Sequence, residues 1–65
     1  MILHKLTGKE ILINADDIKK VSKNDFGNTV VLLLSGRKQP VQESVAQTRK
    51  AIELDYKQIQ FILNL

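Results

Sequence analysis

The chain of 65 residues has no cysteine and no tryptophan, one histidine, one proline and only 5% aromatic residues. Without cysteine there is neither a disulfide framework nor a thiolate metal site, and a single histidine leaves the usual zinc ligand sets out of reach. Hydrophobic runs are short: the longest, Val30 to Leu34, is five residues, far below the roughly 20 needed to span a bilayer. There is no repeat, linker or low-complexity segment, and Met1-Ile2-Leu3 leads straight into a strand pattern without the arrangement of a signal peptide, so a soluble cytoplasmic protein is expected. A chain this short buries only about 60% of the surface its unfolded form exposes. With no staple to compensate, oligomerisation is the remaining route to stability.

What is present is patterned. The 43% apolar content argues against disorder. The stretch Thr29 to Val45, TVVLLLSGRKQPVQESV, organises the rest: Val30 to Leu34 reads as a central strand, Ser35-Gly36 as a tight turn kept soluble by Arg37 and Lys38, and Arg37 to Gln42 as the returning strand. Pro40 cannot donate to a ladder, so that strand should lie at an edge or turn the missing donor outward. Ser44 with Gln47 three residues on forms a capping box that starts a helix.

Upstream, Met1 to Leu6 and Glu10 to Asn14 read as a hairpin around Thr7-Gly8-Lys9, with the buried face of the first strand left open by its pattern. Asn14 to Asp17 breaks the ladder. Ile18 and Val21, three apart, fit a short helical turn or a bulged strand, and Lys23 to Asn28 is the loop into the central strand. Downstream, Val45, Ile52, Tyr56, Ile59 and Leu63 line one helix face, widened by Thr48, Ala51 and Ile62. Such a helix runs to about 30 Å against about 17 to 20 Å for short strands, so it should overhang its sheet. Leu54, Ile59, Phe61, Ile62 and Leu65 then form a candidate oligomer interface, because the last turns are apolar nearly all round.

The expected architecture is α+β, a single domain over residues 1–65: an antiparallel β-meander of four or five short strands over 1–43, followed by one long C-terminal helix over 44–65. The core should include Ile11, Ile13, Ile18, Val21, Val31, Leu33, Val41, Val45 and Ile52.

Chemistry-bearing residues are few. His4 has the residue type of a pH sensor or a lone ligand, but with no second ligand it reads as a partly buried strand residue. Asp16 and Asp17 are explained by turn chemistry, and Ser44, with no histidine nearby to activate it, by capping. No catalytic, cofactor or metal residue is expected. The net charge of +3 is carried by three basic groups: Lys19, Lys20 and Lys23; Arg37 and Lys38; and Arg49 and Lys50. The first two make a candidate partner surface, and all three together would suit a small nucleic-acid-binding regulator. With few aromatics for stacking, a solvated basic face or protein binding is the better reading.

Taken together, M-I at the start, L-T-G-K-E at Leu6 to Glu10, N-A-D at Asn14 to Asp16 followed by Ile18, T-V-V at Thr29 to Val31, and S-G-R-K with V-x-E-S-V at Val41 to Val45 run in the order and nearly the spacing of a known family. On these pieces the chain resembles the FlbD family of small flagellar-associated, swarming-motility proteins. The resemblance implies a cytoplasmic protein without enzymatic activity that serves motility, with a flagellar motor or motility protein as its partner. Leu32 and Leu34 stand where the family usually carries polar residues, Pro40 interrupts the returning strand, and the helix continues through Gln58 to Leu65. The added apolar surface points to assembly as a homo-oligomer.

Overall fold

The computed structural model of the chain describes residues 1–63, with side chains through residue 57. The alternating apolar residues at the start of the chain pair as an antiparallel hairpin, β1 (Ile2–His4) with β2 (Glu10–Leu12), with Leu3 opposite Ile11. Both strands are shorter than their sequence patterns suggest. Leu6 falls in the turn instead, where Gly8, at φ +92°, donates its N–H to Lys5 O at 2.8 Å. At the other end the Met1 ammonium donates to Ile13 O, and Ile13 N–H to Met1 O, each at 2.9 Å.

A short 3-10 turn, Ala15–Asp17, occupies the expected break. Beyond it β3 (Ile18–Lys23), β4 (Thr29–Leu33) and β5 (Lys38–Val41) form a three-stranded antiparallel sheet in the order β3-β4-β5. The five strands thus divide between a hairpin and a three-stranded meander, because the residues of the break put the second group in a new sheet. The apolar run of β4 is central, as its composition requires. The ladder shifts between Ile18 and Lys20, which places a β-bulge at Lys19 and accounts for the spacing of three between Ile18 and Val21. In β5, Leu33 N–H donates to Arg37 O at 2.9 Å, so alternation makes Val30 and Pro40 a pair without hydrogen bonds. The missing donor of Pro40 therefore faces away from β4, on an edge strand.

The hairpin covers the inner face of the sheet. Leu3, Ile13, Val31 and Val41 are buried together, with Met1, Ile11, Ile18 and Leu33 half-buried around them. Burial of Leu3, at 1% exposure, settles which face of β1 is inside, and Ala15, Thr29, Gln39 and Thr48 join the buried set. Gln39 keeps its side chain satisfied by donating to Pro40 O at 2.8 Å.

Helix α1 (Val45–Leu63) starts where the capping box places it: Gln47 N–H donates to Ser44 Oγ at 3.0 Å and Ser44 N–H to Gln47 Oε1 at 2.9 Å. The helix packs on β3 and on the 3-10 turn. Val45 and Ile52 are half-buried, not fully enclosed as the stripe suggests, because the helix lies along one edge of the sheet and is not sandwiched by a second layer. Three tethers fix its start and its course. Gln42 N–H donates to His4 O at 2.8 Å, the Glu43 carboxylate takes the His4 backbone N–H at 2.8 Å and faces His4 Nδ1 at 2.6 Å, and Asp55 pairs with the Met1 ammonium at 2.9 Å.

One buried polar atom is left over. Thr48 is fully buried, and its Oγ1 has no hydrogen-bond partner among the described residues. An orphaned buried hydroxyl costs about 1–3 kcal/mol, so Thr48→Val, which keeps the shape and removes the hydroxyl, should stabilise the fold. A rise in Tm of about 4 °C or more is expected by calorimetry. A fall would show that the hydroxyl has a partner.

Candidate functional site

The outer face of the three-stranded sheet is built by alternation. On β4 the odd residues Thr29, Val31 and Leu33 point to the core side, so Val30, Leu32 and Leu34 stand in a row on the other side. Register places Ser22 and Pro40 beside Val30, and Lys20 and Lys38 on either side of Leu32. A shallow depression of about 290 Å³ lies here, lined only by residues of the three strands and Asn24. Neither the hairpin nor the described side chains of the helix line it. Leu34, just past β4, is 64% exposed. Central as β4 is, no other element among the described residues covers its outer side, and Val30 and Leu32 are half-buried there by their own neighbours.

The basic residues singled out by sequence do not form one patch. Lys20, Lys23 and Lys38 line the outer-face depression. Lys19 and Lys20 also meet Arg49 along a groove between β3 and α1. Arg37 stands apart, in a third depression with Asp17, Leu33 and Gln39, because it sits opposite Leu33 and so projects to the other side of the hairpin. Of the candidate oligomer interface, Leu54 is 51% exposed, whereas the side chains of Ile59, Phe61 and Ile62, and Leu65 altogether, lie outside the described residues.

The sequence reading gave Phe26 no role. It sits at the tip of the β3–β4 turn and is 88% exposed. Asn24 holds that turn: its Oδ1 accepts from Phe26 N–H and Asn28 N–H, each at 3.0 Å. Gly27 supplies the positive φ of 81° that a side chain would resist. A rigid turn therefore presents a bare aromatic ring, the residue type enriched at protein contacts. The turn residues of KNDFGN announce the loop, but nothing in them tells a presented ring from a folded-back one.

His4 and Glu43 are the one described cluster of titratable groups with a shifted member. Asp16 and Asp17 are exposed in the 3-10 turn, and no group of three or more acidic, His or Cys side chains able to hold a metal ion occurs among the described residues. Partial burial by itself would raise the Glu43 pKa, but the hydrogen bonds from the His4 backbone N–H and ring outweigh it and hold the carboxylate below its ordinary value. A carboxylate whose folded pKa is depressed adds stability that is complete above its unfolded pKa and is lost as pH falls through the folded one. Glu43→Gln should therefore cost about 1 kcal/mol at neutral pH, the gap closing in the acid range, as read by urea unfolding across a pH series. A gap that stayed constant into strong acid would show that the charge of Glu43 contributes nothing.

Among the described residues no helix is long and apolar enough to cross a membrane. No curated protein and no solved structure matches the chain. The family described as flagellar and swarming motility proteins, FlbD, matches over residues 1–60, a span that takes in both sheets, the capping box and all but the last turn of the helix. The chain belongs to the FlbD family of flagellar and swarming motility proteins.

Proposed function

We propose that the chain is a non-enzymatic protein-interaction module of the bacterial flagellar and motility system, working in the cytoplasm as a small homo-oligomer. The observation that carries the reading is the outer sheet face. Val30, Leu32 and Leu34 form an apolar row bordered by Lys20 and Lys38, and an apolar centre with a charged rim is the make-up of a specific protein contact. A motor or motility protein with an acidic border around an apolar patch is the partner this face suits.

Self-association is supported by the helix. Its 19 residues extend about 28 Å at about 1.5 Å each, and the molecule measures 43 Å along its long axis against 22 and 18 Å across. Leu54 is exposed, and the sequence beyond it carries Ile59, Phe61, Ile62 and Leu65. A nucleic-acid-binding regulator is the competing reading, and it needs the basic groups on one track. Arg37 lies on a different side from Lys19, Lys20 and Arg49, which favours the protein partner.

The double variant Leu34→Ser/Lys38→Glu changes two exposed side chains and should leave stability within about 0.5 kcal/mol. Placed in the cell as the sole copy, it should abolish swarming expansion at normal protein level; normal swarming would refute the role of this face. Light scattering of the full chain across concentration should give a dimer or larger assembly, and truncation after Tyr56 should give a monomer. An unchanged mass on truncation would place the subunit contact elsewhere.

A further inference from the structure

β3 is an outer strand, paired on one side by β4 alone. The register shows which of its backbone groups are left over. Asn24 N–H donates to Asn28 O at 2.9 Å, so alternation makes Lys23 with Thr29, and Val21 with Val31, pairs without hydrogen bonds. The opposite side of β4 agrees, since Leu33 bonds towards β5 and Leu34 N–H donates to Asp17 O on the β3 side at 2.8 Å. The N–H and C=O groups of Val21 and Lys23 therefore point out of the sheet edge, without a hydrogen-bond partner among the described residues.

This open edge runs beside α1, and a groove of about 340 Å³ lies between them. Half-buried Ile18 and Ile52 and buried Val21 form its floor, and exposed Lys19, Lys20 and Arg49 stand around it. The Tyr56 hydroxyl, 3.5 Å from Ala15 O, marks one end. Unpaired strand groups beside an apolar channel suit an added strand. Charge decides whose strand it is. A second copy pairing through this edge would bring its own Lys19, Lys20 and Lys23 against the same lysines, and the bulge at Lys19 interrupts the ladder such a copy would need. An extended segment carrying carboxylates meets complementary charge on both sides.

We infer that the β3 edge and the groove beside α1 form an acceptor site for an extended acidic segment of a partner protein. The segment adds as a further strand on Val21 and Lys23, its alternate apolar side chains entering the groove and its carboxylates meeting Lys19, Lys20 and Arg49. The site shares Lys20 with the border of the outer sheet face but no other side chain that its contacts use, and it does not rest on the reading given for that face.

The test uses the ¹⁵N-labelled full chain and a short, end-blocked peptide alternating glutamate and valine. The amides of Val21 and Lys23 should shift on titration and exchange more slowly with solvent. The exposed triple reversal Lys19→Glu/Lys20→Glu/Arg49→Glu should weaken binding about tenfold or more and favour the matching lysine–valine peptide. Four results would each overturn the proposal: no binding at about 1 mM peptide, shifts confined to Val30, Leu32 and Lys38, unchanged affinity in the triple variant, or a single-stranded oligonucleotide moving the same amides at lower concentration than the peptide. The swarming test of the outer face is read independently, because its variant changes Leu34 and Lys38 and leaves Lys19, Lys20 and Arg49 in place.

Discussion

The rest of the structure depends on how the residues before the helix grip His4. Gln42 donates to the His4 carbonyl, and Glu43 takes both the His4 backbone N–H and its ring. One residue later Ser44 caps the helix. Three consecutive residues therefore join the end of β5 to β1 and launch α1 in a fixed direction. Without that joint the two-stranded hairpin, marginal by itself, would be held over the sheet only by apolar packing and by the Met1–Asp55 pair. The joint explains how a chain with no cysteine encloses Leu3, Val31 and Val41 almost completely.

The same joint positions the functional surfaces. Because the hairpin is drawn over the inner face, the outer face of the sheet is left bare. Because the helix leaves the joint along β3, it walls one side of that strand and leaves the far edge of β5 to Pro40, whose missing donor faces outward. Each outer strand of the sheet pairs with β4 alone and has one free edge, and the two edges are guarded differently: β5 by Pro40, β3 by a bulge and three lysines. A proline removes a donor outright, whereas lysines leave the donors in place and restrict which partner can reach them.

Much of this was legible in the sequence where a local rule was strong. The capping box, the turn at Ser35-Gly36, where Gly36 takes a φ of +90°, the edge position of Pro40 and the alternative of a bulge between Ile18 and Val21 follow from residue chemistry within a few positions. What could not be read was anything set by distant partners. The pattern of Met1 to Leu6 allows either face inside, and only the packing of Leu3 against Val31 and Val41 chooses. Val45 and Ile52 have the periodicity of core residues, yet a helix on an edge encloses them only by half. The five basic residues proposed as one surface were separated by strand parity, which puts Arg37 on the opposite side from Lys38. The groove beside β3 was invisible for the same reason: its walls are more than twenty residues apart in sequence, and neither has a pattern that names the other.

All strand pairs in this fold join neighbours in the sequence: β1 with β2, β3 with β4, β4 with β5. Hairpins of this kind form on a timescale of about 1–10 μs, before any distant contact is needed. The tethers that bring remote parts together include those from Gln42 and Glu43 to His4, from Asp55 to Met1 and from Tyr56 to Ala15. On a ribosome delivering about 5–20 residues per second, the local pieces can therefore be in place while the chain is still being made. The buried cluster closes only when the segment around Glu43 emerges, so the order of synthesis and the order of assembly coincide.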